Sequence, residues 1–118
     1  MRKILSILLA ISIVYGCGKN DIQRTYFDNG RLKSEFNYID GIKDGLCHKW
    51  YENGQLESKG NYKDGKKEGF KENYHDNGKL SSKGNYKDGK EDGLWTEWDE
   101  DGKKTFQGNF VDGVEEIK

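Results

Sequence analysis

The sequence predicts an all-β chain: a single-layer, twisted antiparallel meander of stacked hairpins, built from about four 24-residue repeats after an N-terminal signal segment. Three observations lead there. Glycines recur in register. Gly30, Gly54, Gly78 and Gly102 each follow Asn or Asp, and Gly41, Gly65, Gly89 and Gly113 each follow Asp. A third set, Gly45, Gly69 and Gly93, follows Asp, Glu and Asp. Apolar residues keep the same period, with Leu32, Leu56 and Leu80, then Tyr38, Tyr62, Tyr86 and Phe110, then Tyr26, Trp50, Tyr74 and Trp98. Between the glycines, apolar and polar residues alternate with period 2, and glycine is too frequent for helices. Self-similarity at such a spacing marks a repeat array, in which each unit buries its apolar side chains against its neighbours.

Residues 1–16 stand outside the repeat. Met1, Arg2 and Lys3 make a basic start, and Ile4 to Val14 is a run of apolar and small residues. That run is too short to span a bilayer, which takes roughly 20 apolar residues, and it fits the apolar region of a signal peptide. Val14-Tyr15-Gly16-Cys17 resembles the bacterial lipobox, which implies a diacylglyceryl group on Cys17 and a short tether over 17–21. Ordinary cleavage after Gly16 is the alternative and would give a secreted or periplasmic protein. The repeat domain is expected over 22–118.

Within one repeat, Leu56, Ser58, Gly60 and Tyr62 alternate with Glu57, Lys59 and Asn61, as on a strand. Lys63 to Gly69 reads as a loop. Phe70, Glu72 and Tyr74 alternate again, and Asp76-Asn77-Gly78 closes the unit as a hairpin turn. Each repeat is thus two short strands, and the whole makes seven or eight. Placed on one common face, Tyr26, Phe36, Tyr38, Trp50, Tyr62, Phe70, Tyr74, Tyr86, Trp98, Phe106 and Phe110 form the expected core with Leu32, Leu46, Leu56, Leu80 and Leu94. Gly60, Gly84 and Gly108 fall on that face, where a missing side chain lets a ring lie over the backbone.

The run Trp50 to Phe70 and its echo from Tyr74 to Leu94 resemble the MORN-repeat variant of bacterial proteins, with the likeness extending over residues 26–113. The resemblance implies an open twisted sheet of stacked hairpins. It also links the chain to scaffolding and membrane-lipid contact, and to YwqK-type antitoxins that neutralise a toxin partner. An export signal departs from a cytoplasmic antitoxin, so a toxin partner would act in the envelope.

The chain has 118 residues, 35% of them charged, no proline and a formal net charge of −1. Without Arg2 and Lys3, 18 basic residues face 21 acidic ones, which leaves no basic patch for nucleic acid. A composition this polar would suggest disorder, but rings kept in register argue for a fold. Cys47 and His48 are neighbours on a strand and so face opposite ways, which argues against a nucleophile–base pair. His48 and His75 occupy different columns of the repeat, and no spacing suits a metal. Asp99-Glu100-Asp101-Gly102 lacks the ordered ligands of a calcium loop and reads as a hairpin turn. No enzyme, cofactor or small-molecule substrate is expected. Phe27 and Tyr51, in a column that continues to His75 and Asp99, are read as pointing away from the core face, as is Trp95. These three are the candidate partner-binding residues, since exposed rings anchor protein interfaces. The expected function is a non-catalytic, lipid-anchored module for protein–protein interaction at the bacterial cell envelope. An immunity-type antitoxin and a lipid-contacting scaffold are the alternatives.

Overall fold

The computed structural model describes residues 19–117; the signal segment and Cys17 lie outside the described residues. The strands are β1 (Asn20–Tyr26), β2 (Leu32–Ile39), β3 (Ile42–Trp50), β4 (Leu56–Lys63), β5 (Lys66–Tyr74), β6 (Leu80–Lys87), β7 (Lys90–Glu91), β8 (Gly93–Trp98), β9 (Lys104–Val111) and β10 (Val114–Glu116). They form one antiparallel sheet in chain order, with β7 and β8 both pairing with β6. Extents of 51 × 35 × 16 Å leave room for a single layer. The fold class expected from the sequence is therefore the one observed. β1 begins at Asn20, so the last two residues of the expected tether already pair with Ile39 and Tyr38.

Two kinds of turn join the strands. Asp64-Gly65 makes a two-residue turn with φ of 49° and 87°, the doubly positive geometry of a type I′ hairpin. The seven-residue loop expected over Lys63–Gly69 is thus corrected: β5 resumes at Lys66, and Gly69 sits inside the strand. The Asn-Gly turns are the wider ones. Gly54 N–H donates to the Tyr51 carbonyl at 2.9 Å, and Tyr51 N–H donates to the Gln55 carbonyl at 2.9 Å. Neighbouring repeats are laced through these turns. Gly65 N–H donates to the Lys43 carbonyl at 2.8 Å, and Asn53 Nδ2 to the Asp76 carbonyl at 2.9 Å.

Cross-strand register sorts the side chains onto two faces, and it overturns the single core face expected from the sequence. Phe36 stands opposite Cys47, Cys47 opposite Gly60, Gly60 opposite Lys71 and Lys71 opposite Gly84. With Tyr62, Tyr86, Trp95, Gly108 and Phe110, this set forms what we term the front face. On the back, His48 opposes Lys59, Leu46 opposes Asn61, Phe70 opposes Asn85 and Leu94 opposes Asn109. Trp50 joins the back face, its ring stacked on His48 at 5.7 Å. The cause is turn length. A two-residue turn sets Tyr62 opposite Lys67, which sends Phe70 to the other side.

The buried side chains are small: Cys47, Ser58, Ser82 and Thr96, none more than 9% exposed. Rings of the front face are laid over its glycines, Trp95 over Gly84 and Phe106 over Gly108. Back-face apolar side chains stay open, with Leu46 46%, Phe70 38% and Leu94 56% exposed. Leu94→Ala should therefore cost less than about 0.5 kcal/mol in thermal unfolding, as surface changes usually do.

Tyr74 on the back face donates its hydroxyl to Glu72 Oε1 at 2.8 Å. Burial, reinforced by that bond to Glu72, pushes its pKa from 10 up to about 12. The stabilisation held by the protonated phenol is full below pH 10 and is lost as pH rises through about 12. An alkaline titration followed by tyrosinate absorbance should show Tyr74→Phe removing a late-ionising ring and flattening the loss of stability in that window.

Candidate functional site

A groove of about 850 Å³ opens on the front face near the Asn-Gly turns of the first repeats, lined among others by Phe27, Lys33, Phe36, Lys49, Tyr51 and Glu57. Phe27 directly follows β1 and Tyr51 directly follows β3, so the period places them side by side in adjacent hairpins. A one-residue register slip between Lys49 and Trp50 puts Leu56 opposite Trp50 at the mouth of the turn. Lys33 Nζ lies 5.5 Å from the centre of the Phe27 ring. Tyr51 donates its hydroxyl to the Tyr74 carbonyl at 2.6 Å, and His75 Nε2 lies 2.9 Å from the Trp98 carbonyl in the next repeat. Burial, with Glu57 and Asp76 nearby, raises the Tyr51 phenol above its ordinary range. Three rings, two lysines and a carboxylate around an open trough suit an extended segment with apolar and charged side chains.

The expectation that Phe27, Tyr51 and Trp95 point away from the packed face is corrected. Phe27 and Tyr51 come together in the groove on the front face, beside Phe36. Trp95 lies on the same face but apart from them, in a second hollow of about 430 Å³ lined by Glu91, Trp95, Glu97, Phe106 and Phe110. Its ring covers Gly84 so closely that a β-carbon there would stand 1.8 Å from Trp95 Cε3. The edge of one ring meets the face of the other where Trp95 packs on Tyr86, centroids 5.6 Å apart at 87°. Lys33, Lys49 and Glu57 escaped the reading of the sequence because turn length and strand slippage, which decide their direction, leave no mark in the apolar pattern. The 24-residue spacing of Lys33 and Glu57 was the one available signal.

Cys47 is buried and free, and burial pushes its thiol up, which leaves it a poor nucleophile. Burial likewise pushes the neighbouring Lys71 ammonium down. Asp99 caps its own turn: one carboxylate oxygen accepts N–H bonds from Asp101 and Lys103, both at 2.9 Å. Those backbone bonds hold its carboxyl below the ordinary range. Among the described residues no group of three or more His, Cys, Asp or Glu is placed to hold a metal ion.

The family profile described as MORN repeat variant matches residues 22–40, 43–64, 67–88 and 91–112. No curated protein matches the chain. A solved structure described as "Crystal structure of GtfA/B complex bound to UDP and GlcNAc" contains a chain similar to this one at 16% identity, with a TM-score of 0.36. That likeness covers 80% of this chain and 19% of the other, so the chain spans about a fifth of that protein's length.

Proposed function

Because this chain belongs to the MORN repeat variant family, with four matched copies, we propose that it is a non-catalytic protein-binding module held at the bacterial cell envelope through a lipid on Cys17. The groove on the front face carries the reading. It offers Phe27, Phe36 and Tyr51 as apolar anchors with Lys33, Lys49 and Glu57 beside them, the mixture that protein interfaces favour. An exported setting makes an envelope-acting toxin one partner of the right kind, neutralised as by an immunity protein.

Detergent-solubilised envelopes passed over the immobilised chain test this reading, with Phe27→Ala and Lys49→Glu as matched baits. Phe27 is the cleaner ring to remove, since Tyr51 also bonds its neighbour's backbone. A protein retained by the wild type should lose about 2 kcal/mol of affinity with Phe27→Ala, the usual threshold for an anchoring residue. Lys49→Glu should mainly change the association rate and its salt dependence. A partner held equally by wild type and both folded variants would remove the groove from the account.

A further inference from the structure

We infer that the hollow around Trp95 is a binding site for an organic cation, a primary ammonium or guanidinium of the kind a lysine or arginine side chain presents. It rests on residues separate from the groove and stands whether or not the groove holds a protein.

The repeats supply their own template for it. Lys43 Nζ lies 4.4 Å from the centre of the Phe36 ring and 5.2 Å from that of Tyr62. One repeat later, Lys67 Nζ lies 4.9 Å from the centre of the Tyr86 ring. Both are cation–π contacts within the reach at which a ring face attracts a positive charge. Twenty-four residues beyond Tyr86 stands Phe110, and 24 beyond Lys67 stands Glu91. The last repeat therefore keeps the ring and replaces the ammonium by a carboxylate. Where the earlier copies seat a cation of their own, this one has an open hollow.

The surroundings match such a ligand. Phe106 and Phe110 lie 6.3 Å apart at 56°, and Trp95 stands beside them. Register confirms a common face, with Trp95 opposite Gly108, Glu97 opposite Phe106 and Glu91 opposite Tyr86. Glu115, opposite Phe110 on β10, extends its carboxylate over Gly108. Among the described residues, none of Glu91, Glu97 and Glu115 has an ion-pair partner; the two ion pairs are Arg24–Glu35 and Lys59–Glu72. Rings present negative faces and the carboxylates add full negative charge, so both components favour a cation and disfavour an anion.

The experiment is a titration of the protein, followed by NMR at the Trp95 indole N–H, with lysine amide, arginine amide and the neutral Nε-acetyl-lysine amide as probes. Saturable shifts with the two cations, and none with the acetylated probe, are expected. Glu91→Lys recreates the arrangement of the earlier repeats and fills the hollow from within. It should keep the fold, as read by its melting temperature, and weaken the cationic probes by about tenfold or more. Glu97→Gln removes one carboxylate without adding a competitor and should weaken them less. Absence of saturable shifts in the wild type, equal response to the acetylated probe, or undiminished binding in both variants would each overturn the assignment. A lysine-bearing peptide that binds more tightly than lysine amide places the cation on a protein; equal affinity places it on a free amine.

Discussion

Trp95→Ala is expected to destabilise the sheet by an amount toward the low end of the about 3–5 kcal/mol typical of losing a packed tryptophan. The ring is only partly buried, but it closes the front face over Gly84 and meets Tyr86 edge to face. Gly84→Ala attacks the same contact from the other side. Its backbone is not in the left-handed region, so strain would come from the collision with Trp95 Cε3 at 1.8 Å, and a cost of about 1–3 kcal/mol follows for an overpacked site. Gly60→Ala, one repeat earlier, makes the contrast. A β-carbon there would meet Lys71 Cδ at 3.1 Å, and a flexible lysine can move aside. The two Trp95-site changes should couple: in a Trp95→Ala background, Gly84→Ala should become nearly neutral. Chemical denaturation of the two single variants and the double variant measures that coupling, and strictly additive losses would contradict the contact.

Replacing Cys17 by Ser should move the protein from the membrane fraction to the soluble envelope fraction almost completely. One acyl chain holds a protein only marginally, whereas the several expected on a processed lipoprotein cysteine hold it firmly, so the change is close to all-or-none. Cys47 cannot take over the role, because its thiol is buried between strands. Equal membrane retention of Cys17→Ser would remove the lipid anchor from the proposal and leave a secreted or periplasmic protein.

The period of 24 residues made the meander, the Asn-Gly turns and the fold class legible in the sequence. Local alternation was also read correctly within a strand, as with Ser58, Gly60 and Tyr62 on one side and Lys59 and Asn61 on the other. What failed was the step from one strand to the next. The facing direction after a hairpin depends on whether its turn holds an even or odd number of residues, and Asp64-Gly65 holds two. Reading seven loop residues there carried Phe70 and Trp50 to the wrong face and took Trp95 off the right one. At the opposite end, the one-residue slip that sets Leu56 against Trp50 breaks the alternation itself. Phe27 and Tyr51 were singled out for facing away from the core. They meet instead on the packed face, where the neighbouring Phe36 and Lys49 complete a groove that the apolar pattern could not show.

Both proposed binding sites depend on the two-faced sheet, with Trp95 on the same side as Tyr62, Tyr86 and the glycine row. Nuclear Overhauser spectra of the folded chain report this side directly. The sheet described here predicts strong contacts from the Trp95 ring to the Gly84 α-protons and the Tyr86 ring, with the Gly84 α-protons shifted upfield by the indole above them. Contacts from Trp95 to the side chain of Thr96's back-face neighbour Lys83, with Gly84 unshifted, would place the ring on the other side and contradict the account.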